Sequence, residues 1–157
     1  MMTELQQKTL DLAEASIGIT EHPPNSNRGP DVDRYLRRVG LDPEHHAYPW
    51  CAAFASTMVL DAADSIHLTH RFRGSASVHR LYELNPALQL DVPTDICLFV
   101  HLDLDRSRAH DHCGFLVEVA TGSSIEGNSD VNGSRTGGSV VRNIRPAAYM
   151  THFLRIE

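Results

Sequence analysis

The sequence predicts an α+β domain, with helices in the first half of the chain and an antiparallel β-sheet in the second. Before Pro93, apolar residues recur at the i, i+3, i+4, i+7 spacing of amphipathic helices. After Pro93, short β-branched or aromatic segments are separated by Gly, Asn and Asp. The 157 residues suffice for one hydrophobic core, and no linker divides them. We therefore expect a single domain that covers residues 1–157.

The helical half contains four predicted helices. Good helix formers dominate the first, and a glycine that can end a helix, Gly18 or Gly40, follows each of the first two. The third begins at Cys51, four residues before Ala55 and therefore on the same apolar face. The four segments are 3–17, about 30–39, 51–64 and 77–84.

The second half contains short predicted strands that form an antiparallel sheet. Thr121-Gly122 is a tight-turn signal, so residues 112–119 and 123–129 should pair as a hairpin. A three-residue loop would place residue 112 near 130–132 and residue 116 opposite 128, although a sequence does not fix register. The predicted strands are 96–100, 114–119, 123–126, 140–144 and 150–156.

Composition excludes several classes of function. A net charge of −6 provides no basic surface for nucleic acid or anionic lipid. No apolar run approaches the roughly 20 residues of a membrane span. The N-terminus lacks a signal-peptide pattern, so we expect synthesis in the bacterial cytoplasm and export, if any, by another route. Three cysteines are an odd number without paired spacing, which does not suggest a disulfide framework.

Cys51 is the candidate nucleophile. A cysteine attacks as the thiolate, and a helix N-terminus lowers the thiol pKa while its free N–H groups can bind an oxyanion. Cys51 follows Pro49-Trp50 and opens the third helix, which fits that description. By position alone, a small cysteine buried in a core helix is an equally good interpretation.

His112 is the candidate base, at the entry to a predicted strand. Across the hairpin, Glu126 and Asn128 share one strand face, so either can orient the imidazole. Each of these residues also has an ordinary alternative: a surface histidine, and a polar strand end. His110 lies close by, but only His112 is followed by an x-Gly string.

Three strings, in this order, resemble the CHAP family of cysteine amidases and peptidases. They are YPWCAAF at 48–54, HCGF at 112–115 and IEGN at 125–128. Residues 15–36 also resemble the N-terminal helices of phage-lysin-like CHAP proteins, whereas the likeness weakens over 64–93. The resemblance implies a papain-like fold and cleavage of an amide bond in peptidoglycan.

Carried over residue by residue, the resemblance assigns roles to four side chains. Cys51 would be the nucleophile, His112 the general base and acid, Glu126 the residue that orients the histidine, and Asn128 an assisting residue. We also expect Trp50, beside the nucleophile, to contact substrate. The bond cut would be the muramoyl–L-alanine amide or another amide of the stem peptide.

The chain departs from the family at two positions. Asp111 and Cys113 stand where the family usually has glycine and valine around the histidine. By strand alternation we expect Cys113 to point away from His112 into the core. The Asp-Cys-Ser-Gly string of the related NlpC-type families is absent from the sequence.

We expect no metal or cofactor. Asp103, Asp105 and Asp111, with His101 and His110, form a polar stretch, but it lacks the EF-hand pattern. We interpret the residues of this stretch, and also His45-His46, as solvent-exposed loop side chains and not as metal ligands.

The biological setting has three candidate forms. The chain is an antibacterial effector delivered by a type VI-like secretion system, a phage-type lysin, or the catalytic module of a larger protein. Its site of action would be the cell wall after delivery, and an effector would have a cognate immunity protein as partner. A non-catalytic CHAP-like or histidine-rich metal-binding module is the alternative from another functional class.

Overall fold

The computed structural model describes residues 1–103 and 111–157, and this part of the chain is an α+β fold. It contains four α-helices: α1 (Glu4–Ala15), α2 (Pro30–Arg38), α3 (Cys51–Ser65) and α4 (Val78–Glu83). The described strands are β1 (Gln89–Leu90), β2 (Cys97–His101), β3 (His112–Glu118), β4 (Ser123–Ser129), β5 (Ser139–Ile144) and β6 (His152–Leu154). Short 3-10 turns cover Pro86–Leu88 and Ala147–Tyr149. The predicted helical half and β half are confirmed.

Local sequence explains where the helices begin and end. The Thr3 hydroxyl caps α1 and Gln6 returns a hydrogen bond to the Thr3 backbone, which completes a capping box. Helix α2 starts at Pro30, whose fixed φ suits a first helical turn. Gly40 adopts a φ of 85° just beyond that helix, a conformation that glycine adopts without steric cost.

The six described strands form one antiparallel sheet in the order β1-β6-β2-β3-β4-β5. Helix α3 packs on the faces of β3 and β4, while α1 and α2 pack on α3. One apolar cluster fills the space between helices and sheet, and a smaller cluster of Cys97, Phe99, Leu116, Met150 and Phe153 covers the opposite face. The arrangement brings the first residue of α3 close to the start of β3. No helix in the described ranges is both long enough and apolar enough to span a membrane.

The register of the central hairpin differs from the predicted one. Leu116 pairs with Ser124, not with residue 128, and the ladder shifts between Leu116 and Glu118. A four-residue connection and this bulge replace the three-residue loop that we expected. The bulge adds one residue to β3 and shifts the pairing by one position, whereas the observed partner of Leu116 lies four positions from the predicted one.

Candidate active site

Cys51 is the first residue of α3 and lies at the end of a cavity. Its side chain is buried except for a small exposed fraction that lines a cavity of about 500 Å³. The first N–H groups of a helix have no intrahelical partners, so they remain available to a ligand beside the thiol. The sulfur atom therefore lies at the positive end of a helix and within reach of a small molecule.

His112 and Glu126 form a buried ion pair at the start of the β3–β4 hairpin. The imidazole Nε2–H donates to Glu126 Oε2 over 2.8 Å, and both side chains are fully buried. Among the described residues, the other ring nitrogen, Nδ1, has no nitrogen or oxygen atom as hydrogen-bond partner. Nδ1 is thus the nitrogen left for the Cys51 thiol.

The Glu126 carboxylate is surrounded by donors. The Ser124 hydroxyl donates to Oε1 over 2.6 Å, and the Asn143 amide lies 3.4 Å from Oε2. Arg145 donates to both oxygens, from Nε over 2.8 Å and from Nη2 over 2.5 Å. With His112 these make five donors on a group that only accepts hydrogen bonds when ionised, so the carboxyl group is held as the anion.

The electrostatics of the site favour a thiolate–imidazolium pair. Burial lowers the pKa of His112, but the charges of Cys51 and Glu126 and hydrogen bonds to both outweigh burial and raise that pKa to about 9. Burial alone would raise the pKa of Glu126, but the hydrogen bonds and charges of Arg145 and His112 outweigh burial and lower that pKa to about 2. The pKa of Cys51 falls well below its ordinary value, through a hydrogen bond from Cys113 and the charge of His112.

Cys113 has a role that the sequence did not predict. It is buried in the core between sheet and helices, as expected, and packs on the opposite side of β3 from His112. That side faces α3, where interaction with the Cys113 thiol and backbone N–H lowers the pKa of the Cys51 thiol. The pKa of the Cys113 thiol rises well above its ordinary value because it is buried and donates to a thiolate. Cys113 therefore points away from His112 into the core as expected, but the face that it reaches is the one on which Cys51 lies.

Asn128 is buried in β4 but takes no part in this hydrogen-bond network. Neither amide atom has a partner among the described residues, and the backbone adopts a φ of 55°, an uncommon value outside glycine. The structure therefore joins Cys51, His112 and Glu126 and leaves Asn128 as a separate, unpaired amide. Glu126, not Asn128, is hydrogen-bonded to the histidine.

Trp50 is not placed where a substrate could reach it. Its side chain is fully buried, its indole N–H donates to Glu21 Oε1 over 2.9 Å, and its ring stacks on Tyr35 with centroids 6.0 Å apart. The ring faces inward because α3 buries almost its entire surface. The expected substrate-binding role is wrong, and Trp50 anchors the start of α3 in the core.

The cavity beside Cys51 has a mostly apolar lining with two charged side chains. Tyr48 and Pro49, from the segment before α3, line it, and Asp111 and Arg135 are the charged lining residues. The other lining residues are Val39, Leu41, Ser75, Ala76, Ser77, Val78 and Thr136. A largely apolar cleft with a few polar groups beside a nucleophile is typical of a substrate site.

Two glycines bring these elements together. A Cβ on Gly114 would lie 2.7 Å from Glu126 Cγ, and a Cβ on Gly127 would lie 2.7 Å from Phe54 Cβ. Gly114 thus leaves room for the Glu126 side chain, and Gly127 lets β4 approach the first turn of α3. Sequence reasoning used the glycines as family markers without this packing role. Ser124 and Arg145 were not predicted. Ser124 lies two residues before Glu126 on the same strand face, so the period-two rule could have indicated it, whereas no spacing rule links Arg145 to Glu126.

No metal site is found in the described ranges, where no group of three or more His, Cys, Asp or Glu side chains has ligand geometry. Asp105 and His110, which belonged to the considered cation stretch, lie outside the described residues. Comparison with family models, with curated proteins and with solved structures found no match to this chain.

Proposed function

We propose that this protein is a cysteine hydrolase that cleaves an amide bond of peptidoglycan. The observation that carries the chemistry is the relay from Glu126 through His112 to Cys51, in which Cys51 opens a helix beside a cavity. The resemblance of the three strings to CHAP amidases and peptidases supports the choice of peptidoglycan. It also supports a papain-like variety of the α+β fold.

The reaction begins with attack of the Cys51 thiolate on the carbonyl carbon of the scissile amide. The backbone N–H groups at the start of α3 stabilise the oxyanion that forms. His112, protonated and held by Glu126, then donates a proton to the leaving amine as the C–N bond breaks. A thioester on Cys51 remains after the amine departs.

Hydrolysis of the thioester regenerates the enzyme. His112, now neutral, removes a proton from water as the water oxygen attacks the thioester carbon. The acid product leaves, and the proton on His112 restores the thiolate–imidazolium pair. No group outside the described site is required for either half-reaction.

Two features of the proposal belong to the resemblance alone. The scissile bond is the muramoyl–L-alanine amide or another stem-peptide amide. The settings proposed are delivery by a secretion system with a cognate immunity protein, a phage-type lysin, or a module of a larger protein. A neighbouring gene for a small inhibitor would support the effector, and a neighbouring holin gene would contradict it.

Digestion of purified peptidoglycan sacculi tests the function. Wild type, Cys51→Ala and Cys97→Ala are incubated with sacculi of several chemotypes, and the soluble products are analysed by mass spectrometry. Cys97 is a suitable control because it is buried on the other face of the sheet and its pKa is raised by burial to about 11. We expect products from wild type and Cys97→Ala only, with new termini that identify the bond. Intact sacculi in all samples would favour a non-catalytic binding module.

A further inference from the structure

Arg145 directly follows β5, and its buried guanidinium group donates hydrogen bonds from all three nitrogens. Its guanidinium grips Glu126 in a two-pronged arrangement, with Nε on Oε1 and Nη2 on Oε2. The remaining nitrogen, Nη1, donates to the Gly133 carbonyl over 2.8 Å. The guanidinium carbon lies 4.5 Å from the centre of the Tyr149 ring. Each guanidinium nitrogen therefore donates a hydrogen bond, and one face of the cation lies on an aromatic ring.

The surrounding backbone is shaped to hold Arg145. The Arg145 N–H donates to the Gly122 carbonyl over 2.9 Å, and a Cβ on Gly122 would collide with the Arg145 carbonyl. A Cβ on Gly133 would lie 2.9 Å from Nη1. Gly122 and Gly133 have φ values of 70° and 78°, which glycine adopts without steric cost. The two turns that contact Arg145 therefore depend on glycine.

The charges of the site explain what this arginine can do. A thiolate on Cys51 and an imidazolium on His112 balance each other, which leaves the Glu126 anion unbalanced without a further cation. Burying an unpaired carboxylate is costly, and the group would take up a proton or move. Arg145 supplies the missing positive charge inside the buried cluster.

Other ionisable or charged groups also face this cluster from the neighbouring elements. Within the described ranges they are Cys113 on β3, Asp130 directly after β4, Asp111 and Arg135 in the cavity lining, and Tyr149, whose ring lies against the Arg145 guanidinium. Arg145 is distinguished from Arg135 by its direct, paired hydrogen bonds to Glu126. Arg145 is connected to Cys51 only indirectly, through Glu126 and His112, and does not contact the thiol.

We propose that Arg145 is a positioning residue of the active site: it keeps the Glu126 carboxylate ionised and in one orientation, and thereby keeps the Cys51–His112 pair charged. The inference deepens the proposed hydrolase function and rests on it for its catalytic meaning. Its chemical content, the ionisation of Cys51, can be measured without any peptidoglycan.

The test is the rate of Cys51 alkylation by iodoacetamide as a function of pH, with the modified cysteine identified by mass spectrometry. Wild type is compared with Arg145→Met, Arg145→Lys and Arg142→Met. Arg142 is a matched control because it lies on β5 but is exposed, where it contacts Glu14 and Ser123. The free energy of unfolding of each variant is measured by urea titration.

We expect Arg145→Met to move the midpoint of the alkylation profile to higher pH and to slow alkylation at pH 6 by roughly tenfold, because a buried charge is removed from the cluster. Arg145→Lys, which keeps the charge but cannot grip both oxygens, should slow alkylation by roughly threefold. Arg142→Met should leave the profile unchanged.

The outcomes separate a positioning role from a structural one. Lower stability of Arg145→Met with an unchanged pH profile would overturn the proposal, because the ion pair would then serve the fold alone. If Arg145→Met does not fold, the test uses Arg145→Lys instead. A pH profile of Cys51 alkylation in Arg145→Lys that equals the wild-type profile would overturn the proposal. If Cys51 of the wild type were alkylated as slowly as Cys97, both this proposal and the proposed hydrolase function would be overturned. If sacculi stayed intact while the alkylation profiles were as expected, only peptidoglycan as the substrate would be rejected.

Discussion

Replacing Gly114 by alanine should disable the active site through a single methyl group. The added Cβ would lie 2.7 Å from Glu126 Cγ, 2.9 Å from the Ile125 carbonyl oxygen and 3.0 Å from a Phe99 ring carbon. Ordinary contacts begin near 3.4 Å, so Glu126 must retreat by about 0.7 Å. The Ile125 carbonyl belongs to β4 and cannot retreat as easily.

That displacement is large compared with the tolerance of the site. Carried through to the carboxylate, it would lengthen the 2.8 Å bond between His112 and Glu126 to about 3.5 Å, beyond hydrogen-bond range. Overpacking of a buried position typically costs about 1–3 kcal/mol of folding free energy. We therefore expect a folded but less stable protein whose Cys51 alkylation at pH 6 is strongly slowed.

The assays are urea unfolding and the iodoacetamide rate, with Gly18→Ala as control. Gly18 has a φ of 96° and open space around its Cβ position, so alanine there strains only the backbone. Gly18→Ala should lose about 1 kcal/mol of stability and keep the wild-type thiol reactivity. Wild-type stability and reactivity in Gly114→Ala would refute the reasoning that this glycine makes room for Glu126.

Three further predictions follow from the ionisation of the site. Peptidoglycan hydrolysis should show a bell-shaped pH profile that rises as Cys51 ionises and falls through about pH 9, where His112 loses the proton it must donate; constant activity up to pH 11 would contradict this assignment. The lowered pKa of Glu126 contributes stability that is fully present above pH 4.5 and is lost as the pH falls through about 2. It amounts to roughly 3 kcal/mol at most, and Glu126→Gln should abolish this part of the acid dependence in thermal unfolding. Cys113→Ala should raise the pKa of Cys51 and slow its alkylation at pH 6 while the two rates converge at high pH; equal rates at pH 6 would show that Cys113 is only a core residue.

Sequence periodicity was sufficient to predict the layers of the fold and the positions of Cys51 and His112 at the start of their elements. Cys51 opens a helix and His112 opens a strand, and both positions are marked by local spacing. Register was not predictable in this way. One extra residue in β3 shifts the partners from Leu116 toward the start of the strand by one position, and nothing in the residues around Val117 indicates a bulge.

Side-chain direction at the edges of elements was the other source of error. Trp50 precedes a helix, where a short sequence does not tell whether the ring turns inward or outward, and here it turns inward onto Tyr35. Cys113 alternates away from His112 as expected, but the face it reaches is the one on which α3 begins. Arg145 lies far along the chain from Glu126, and only the β4–β5 pairing brings them together.

The site is divided between the helical layer and the sheet, so its parts form in a fixed order during synthesis and folding. Cys51 belongs to the helical layer, whereas His112 and Glu126 belong to strands that follow much later in the chain. During synthesis the thiol is therefore complete long before the base and its carboxylate exist. Until the sheet has formed and α3 has docked on it, Cys51 is an ordinary cysteine, so the growing chain carries no activated nucleophile.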